Sequence, residues 1–252
     1  MEKPGIDELR FFLKDSIRKT TDFSRTDQSL GLPPPPVEKP FAPDAHRTAL
    51  PKPEAWQGIG TVALADAIRR RSSRREFLAE PLSLDELAFL LWATQGVRRA
   101  GGGGAALRTV PSAGARHALE TYLCVLTVTG VTPGIYRYLP VEHELLFEAA
   151  GDDLAARVAS AAFGQSFVGR GAVTFIWAAV PYRMEWRYGP ASHKVIAIDA
   201  GHVCQNLYLA CEAIGAGTCA VAAYDQDAMD QLLRLDGRNE FAVYLAPVGK
   251  VK

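Results

Sequence analysis

No stretch of this 252-residue chain reaches the roughly 20 consecutive apolar residues that a membrane-crossing helix needs. The longest apolar run, Ala172 to Val180, stops at Pro181 and has the length of a buried strand. Met1 to Lys14 mixes charges among its apolar residues and so lacks a signal-peptide core. The expectation is a soluble, cytoplasmic protein with no membrane partner. Net charge is also missing. Lys plus Arg total 28, as do Asp plus Glu, which argues against a global surface for nucleic acid. Cysteine is scarce: the four residues Cys124, Cys204, Cys211 and Cys219 form no CxxC pair, and none stands near a second Cys or His at zinc spacing. Neither a metal site nor a disulfide framework is expected; these are small apolar side chains for a core.

Apolar residues make up 48% of the chain, enough for a substantial core. Residues 1–58 predict an N-terminal helix and a proline-rich arm. Leu9, Phe12, Leu13 and Ile17 recur at helical spacing within Asp7 to Thr20. Pro33 to Pro36 and the prolines at 40, 43, 51 and 53 then keep the segment extended and without a ladder of its own. Such an arm either wraps a folded body or stays mobile, and Phe41 and Trp56 favour wrapping.

Residues 59–252 predict the folded body. Thr61 can cap a first helix running to the arginine cluster, and Ser83 to Glu86 is a capping box for a second. Gly101 to Gly104 cannot hold a helix and predicts a loop. Strands are expected over Thr121–Thr129, Gly134–Leu139, Glu144–Ala149, Ala172–Val180, Thr218–Ala222 and Phe241–Val248. Helices are expected over Asp152–Phe163, Lys194–Ile214 (closed by Gly215) and Asp225–Leu233. No regular βαβ alternation appears, so the fold class is α+β.

Four constellations can carry chemistry. Arg69 to Phe77 holds five arginines and two serines. Guanidinium groups bind phosphate oxygens bidentately and a serine hydroxyl adds a neutral donor, so Arg71, Ser73 and Arg75 can converge on one anion. The alternative is a solvated basic face. Pro111 to Ala115 is small enough for its backbone to approach a flat ring, or is an ordinary turn. Ile214 to Asp225 is no dinucleotide fingerprint, because Gly215 closes a helix instead of opening one, yet its small residues leave backbone N–H groups accessible. Asp199, His202 and Asn206 share one helix face. No nucleophile-elbow serine accompanies them, so a mutually satisfied polar cluster is expected there, and no metal.

In their order these segments resemble the nitroreductase family. Arg71 to Phe77 is similar to its Arg-x-Ser-x-Arg-x-Phe signature, and Leu82 to Ala93 is similar to the family's next segment. Arg108 to Ala115, Gly134 to Tyr138, Asp199 to Leu207 and Gly215 to Cys219 resemble the SagB/ThcOx-type dehydrogenase branch. The resemblance implies a nitroreductase fold, a central mainly antiparallel sheet flanked by helices, in an intertwined homodimer with FMN in clefts shared by the subunits. It implies that Arg71, Ser72, Ser73 and Arg75 hold the ribityl phosphate, joined by Lys250 or Lys252. It implies that Pro111, Ser112, Ala113 and Gly114 reach the isoalloxazine from the partner, and that the backbone at Ala222 and Ala223 lies beside the flavin's reactive nitrogen.

Three positions depart from the branch. Azoline-oxidising members carry a Lys-Tyr pair where Arg187-Tyr188 stands here, and Arg cannot serve as a base as Lys can, which weighs against azoline oxidation. Tyr188 remains a candidate proton donor or acceptor. Arg116-His117 replaces the usual aromatic after the small-residue loop, and Ala223 stands where many relatives have Gly. The function implied is hydride transfer through FMN with a small-molecule or peptide-derived substrate. The alternatives are an NAD(P)H-dependent nitro or quinone reductase, and a non-catalytic flavin-binding scaffold in a biosynthetic complex.

Overall fold

In the computed structural model, which describes residues 5–100 and 106–252, a seven-stranded sheet runs from β1 (Arg47–Ala49) through β6 (Glu144–Ala149), β5 (Gly134–Leu139), β4 (Leu119–Val125), β7 (Val173–Ala179) and β9 (Phe241–Lys250) to β8 (Ala216–Thr218). Every pairing in it is antiparallel. A separate hairpin joins β2 (Val97–Ala100) to β3 (Ala106–Arg108). The glycine loop expected at 101–104 lies outside the described residues.

Alternation along two central strands explains the layers. Val173, Phe175, Trp177 and Ala179 of β7, with Leu119, Leu123 and Val125 of β4, pack against α3 (Leu84–Gln95) and α6 (His193–Glu212). Ile176 and Ala178, with Tyr122 and Cys124, pack against α4 (Leu154–Ala161) and α7 (Gln226–Leu233). Both faces of the sheet are therefore covered by helices. That is why β7 reads as an unbroken apolar run although its neighbours are antiparallel. Ser83 and Glu86 form the capping box expected for α3, and Asp225 caps α7 through the Ala228 N–H.

Several expectations shift. The helix before the arginines is α2 (Leu64–Arg70), whose N-cap is Ala63 rather than Thr61. The N-terminal helix α1 (Ile6–Leu13) gives way to a 3-10 turn over Ser16–Lys19. The strand expected at 121–129 is β4, ending at Val125, because Leu126 and Thr127 donate their N–H groups to the Ala172 carbonyl. The buried stripe of α6 passes through Ile196, Ala200, Val203 and Leu207, leaving Ile198 exposed. The sequence does not announce α5 (Tyr182–Tyr188), because Pro181 and the mixed aromatic-basic composition mask its period.

The arm also departs from expectation: Arg47–Ala49 pairs with β6 as an edge strand of the main sheet. Upstream of it, the proline-rich stretch lies over three arginines. Prolines cannot donate, so this backbone offers mainly acceptors, and side chains satisfy them. Arg108 donates to Val37 O at 2.7 Å, Arg137 to Lys39 O at 2.8 Å and Pro40 O at 3.3 Å, and Arg116 to Pro35 O at 3.5 Å. Trp186 Nε1 donates to Leu32 O at 3.1 Å. Glu120 anchors the set by pairing with Arg183 and Arg137 and accepting the Lys39 N–H at 2.9 Å. Burial works against its carboxylate, yet the arginines outweigh burial and hold its pKa below the usual range.

His117, buried beside these arginines, gives a pH prediction. Burial first, then the nearby Arg108, push its pKa down to about 3. The unfolded chain takes up this proton near pH 6.5, which the fold refuses until about pH 3. Stability contributed by the neutral ring is thus present above pH 6.5 and is lost as pH falls through that window. Denaturant unfolding of wild type should show an added slope approaching about 1.4 kcal/mol per pH unit there. His117→Asn tolerates the left-handed backbone at this position (φ 47°) and should lose that slope. Identical pH profiles for the two proteins would contradict the assignment.

Candidate functional site

The arginine segment leaves α2 and runs along the β8 edge of the sheet. Ser73 bridges Thr218 in parallel, Arg74 N–H donates to Thr218 O at 2.9 Å, and Leu78 N–H donates to Lys250 O at 2.9 Å. Two glycines permit this approach. A Cβ at Gly217 would lie 2.5 Å from Arg74 Cγ and 2.8 Å from Val251 Cγ1; one at Gly249 would lie 2.9 Å from Phe77 Cβ. Gly217→Ala should therefore push the segment off the sheet and weaken binding of any anion held by Ser73 and Arg75. A phosphate or FMN titration giving the wild-type Kd would show that the segment adapts.

Ser73, Arg74, Arg75, Phe77 and Lys252 line a cleft of about 550 Å³. Among the described residues Arg71 and Arg75 form no ion pair, whereas Arg69 and Arg70 next to them engage Asp66 and Glu212. The Arg71 guanidinium lies over the Tyr208 ring, 5.3 Å from its centroid, and that of Arg75 over Phe167 at 5.7 Å. Aromatic faces orient these groups without neutralising them, which leaves their charge for an anion. Ser72 is exposed and is not among the residues lining the cleft.

Tyr208 carries no motif that marks it in the sequence. Its hydroxyl on α6 accepts the Ala220 N–H at 2.8 Å and lies 3.0 Å from Ser73 Oγ. It thereby ties the arginine segment to the stretch after β8. In that stretch Ala222 and Ala223 are exposed, and among the described residues their N–H groups have no protein acceptor, while Gln165 donates to Ala223 O at 2.8 Å. Lys250 faces another way: its ammonium pairs with Glu86 and donates to Ile214 O at 2.6 Å. Of the two lysines offered by the sequence, Lys252 lines the cleft.

The small-residue loop sits elsewhere in the chain, and none of residues 111–114 lines that cleft. Gly114 (φ 59°) and Ala115 (φ 54°) are left-handed, and a Cβ at Gly114 would lie 2.7 Å from the Tyr188 hydroxyl and 2.8 Å from Arg187 Nε. Ser112 Oγ accepts the His117 N–H at 2.9 Å. Tyr188 thus abuts the loop that the sequence singled out, and Pro111 and Gly114 are exposed. The polar stripe on α6 is not mutually satisfied. Asn206 donates to Ala93 O at 2.8 Å, His202 is exposed, and buried Asp199 keeps one carboxylate oxygen without a partner. Burial raises the Asp199 pKa, against the pull of Ser112 and the Ala113 amide beside it.

The four cysteines are buried and free. Burial pushes the Cys124 and Cys204 thiols up to about 12, so they stay protonated at neutral pH and are poor nucleophiles. Among the described residues no group of three or more His, Cys, Asp or Glu side chains could hold a metal, and no helix is long and apolar enough to cross a membrane.

Both the fold and the order of these segments have counterparts among known proteins. The nitroreductase family model matches residues 68–250, and the chain belongs to that family. A Methanocaldococcus jannaschii protein named as a nitroreductase is 34% identical over 192 residues, covering 76% of this chain and 93% of that one. The trifolitoxin-processing protein TfxB of Rhizobium leguminosarum is 31% identical over 133 residues, covering 51% of this chain but only 36% of TfxB. Among solved structures, a nitroreductase-named protein of Ralstonia eutropha superposes with a TM-score of 0.68 at 28% identity, covering 88% of this chain and 95% of that one. A chain of the E. coli microcin synthetase McbBCD complex, with truncated pro-MccB17 bound, shares the fold at a TM-score of 0.61 and 17% identity, covering 100% and 99%. Family membership supports a flavin-dependent oxidoreductase in general terms.

Proposed function

We propose that the chain binds FMN and works as a flavin-dependent oxidoreductase of the SagB-type branch, with the site completed by a second copy of the chain. The observation that carries this reading is Arg75 beside Ser73 in an open cleft, with Arg71 on the adjoining turn, both guanidinium groups held over aromatic rings and free of carboxylates among the described residues. That donor set suits a phosphate monoester, and Lys252 adds a cation. The unpaired N–H groups of Ala222 and Ala223 suit a ring with acceptor atoms. Such a flavin supplies hydride transfer when bound. The protein's own residues bind the phosphate, present backbone donors, and offer the Tyr188 hydroxyl as a proton donor or acceptor near the loop at 111–115.

Separation of that loop from the cleft within one protomer favours the two-chain site, with Pro111, Ser112 and Ala113 supplied by the partner. The exposed Ile198 on α6 is consistent with burial in such a dimer. The names of two relatives, a toxin-processing protein and a microcin synthetase complex with a peptide bound, favour a peptide-derived substrate over a free nitro compound. Anaerobic mixing of the flavin-loaded protein with NADH, NADPH and candidate organic donors tests the direction. Bleaching by an organic donor but not by a nicotinamide supports the dehydrogenase reading. Bleaching by NAD(P)H followed by nitro or quinone reduction would replace it with the reductase, and no bleaching by any donor would favour a scaffold.

A further inference from the structure

We infer that Tyr208 is a positioning residue that turns Ser73 into an obligate donor towards the cleft. This rests on the anion reading of the Arg71–Arg75 segment and adds a residue outside its motif. The Ala220 contact favours one direction for the Tyr208–Ser73 bond, which either hydroxyl could donate. The Ala220 N–H can only donate, and it donates to the Tyr208 hydroxyl oxygen at 2.8 Å. Tyr208 keeps one proton of its own, and its other neighbour is Ser73 Oγ at 3.0 Å. When Tyr208 donates to Ser73, the Ser73 proton is released from internal use and faces the cleft that Ser73 lines. The chain of donors then runs from Ala220 N–H through Tyr208 O–H to Ser73 O–H and out to the ligand. Hydrogen bonds in such a row polarise one another in the same sense, strengthening the last donor. The ligand end must be a pure acceptor, as a phosphate oxygen is.

The same side chain orients the charge. Its ring lies under the Arg71 guanidinium at 5.3 Å, so one residue of α6 positions both a neutral and a charged donor. It also links the cleft to the stretch that carries the unpaired Ala222 and Ala223 N–H groups, through Ala220. Removing only the hydroxyl keeps the ring beneath Arg71 and breaks the relay.

The test is a binding comparison of wild type, Tyr208→Phe, Ser73→Ala and the double variant, titrated with FMN, with riboflavin (which lacks the phosphate) and with inorganic phosphate. Tyr208→Phe should weaken FMN and phosphate binding by about two- to tenfold, tenfold being the ceiling set by loss of the whole Ser73 hydrogen bond to the anion, which Ser73→Ala should reach. Riboflavin affinity should stay unchanged. In the Ser73→Ala background the Tyr208 change should add almost nothing, because Tyr208 acts through Ser73. Equal weakening of FMN and riboflavin would overturn the inference, since the hydroxyl would then only support the Ala220 stretch. So would an undiminished Tyr208→Phe effect without Ser73, or wild-type protein that binds neither FMN nor phosphate. Tyr208-dependent phosphate binding without flavin binding would uphold the relay while removing FMN as the ligand.

Discussion

Purified Arg71→Ala/Arg75→Ala protein is expected to be colourless. Each guanidinium contributes a charge-assisted contact of about 1.5–3 kcal/mol to a phosphate, so losing both weakens FMN by about 10²- to 10⁴-fold. Neither arginine forms an ion pair among the described residues, and both lie on ring faces at the surface of the fold. The double variant should accordingly melt within a few degrees of the flavin-free wild type. Circular dichroism and an FMN titration separate the two effects. A variant that keeps FMN through gel filtration at the wild-type stoichiometry would show that the phosphate sits elsewhere.

Glu120→Ala is expected to have the largest effect on stability. It strips the carboxylate from Arg183 and Arg137 in the interior and removes the acceptor of the Lys39 N–H. Breaking one side of a buried charge cluster costs about 3–5 kcal/mol. For a chain of this size that lowers Tm by roughly 6–20 °C. The proline-rich arm is held by the same cluster, so chymotrypsin should cut after Phe41 of the variant well below its melting temperature. A Tm shift under about 2 °C, with the arm still protected, would show that the carbonyl contacts of Arg108 and Arg137 hold the arm without Glu120.

Features encoded locally were the ones legible in the sequence. The Ser83–Glu86 box, the period of α6 and the short strands β5 and β6 are set by near neighbours, and the structure places β5 and β6 at the residues expected. The α+β class came from the order of such segments, and the family from six segments in sequence. Features made by distant partners were not legible. Arg108, Arg116, Arg137 and Arg183 look like surface residues in composition, yet all four are buried, three of them because an extended arm turns its carbonyls towards them. Pairing of Arg47–Ala49 with β6 depends on an edge that the sequence does not advertise.

The candidate site divides in the same way. Arg71, Ser73 and Arg75 stand out at alternate positions of one short segment, whereas Tyr208 lies 135 residues beyond Ser73 and joins them only through the packing of α6 beneath that segment. Asp199 is satisfied only in part, because helical spacing places two side chains on one face without fixing their burial: Asp199 turns inward and His202 outward, which leaves His202 4.0 Å from one carboxylate oxygen and the other without a partner. Lys250 and Lys252 are equivalent in sequence, and only the structure shows that Lys250 pairs with Glu86 at the start of α3 while Lys252 lines the cleft.

The most direct test of the central claim is the absorbance spectrum of the protein as purified, with its chromophore released and identified, and then an FMN titration of any flavin-free fraction. The account predicts flavin bands, release of FMN rather than riboflavin or FAD, and one FMN per chain. A colourless protein that takes up no added FMN would contradict it and leave a nitroreductase fold without its cofactor.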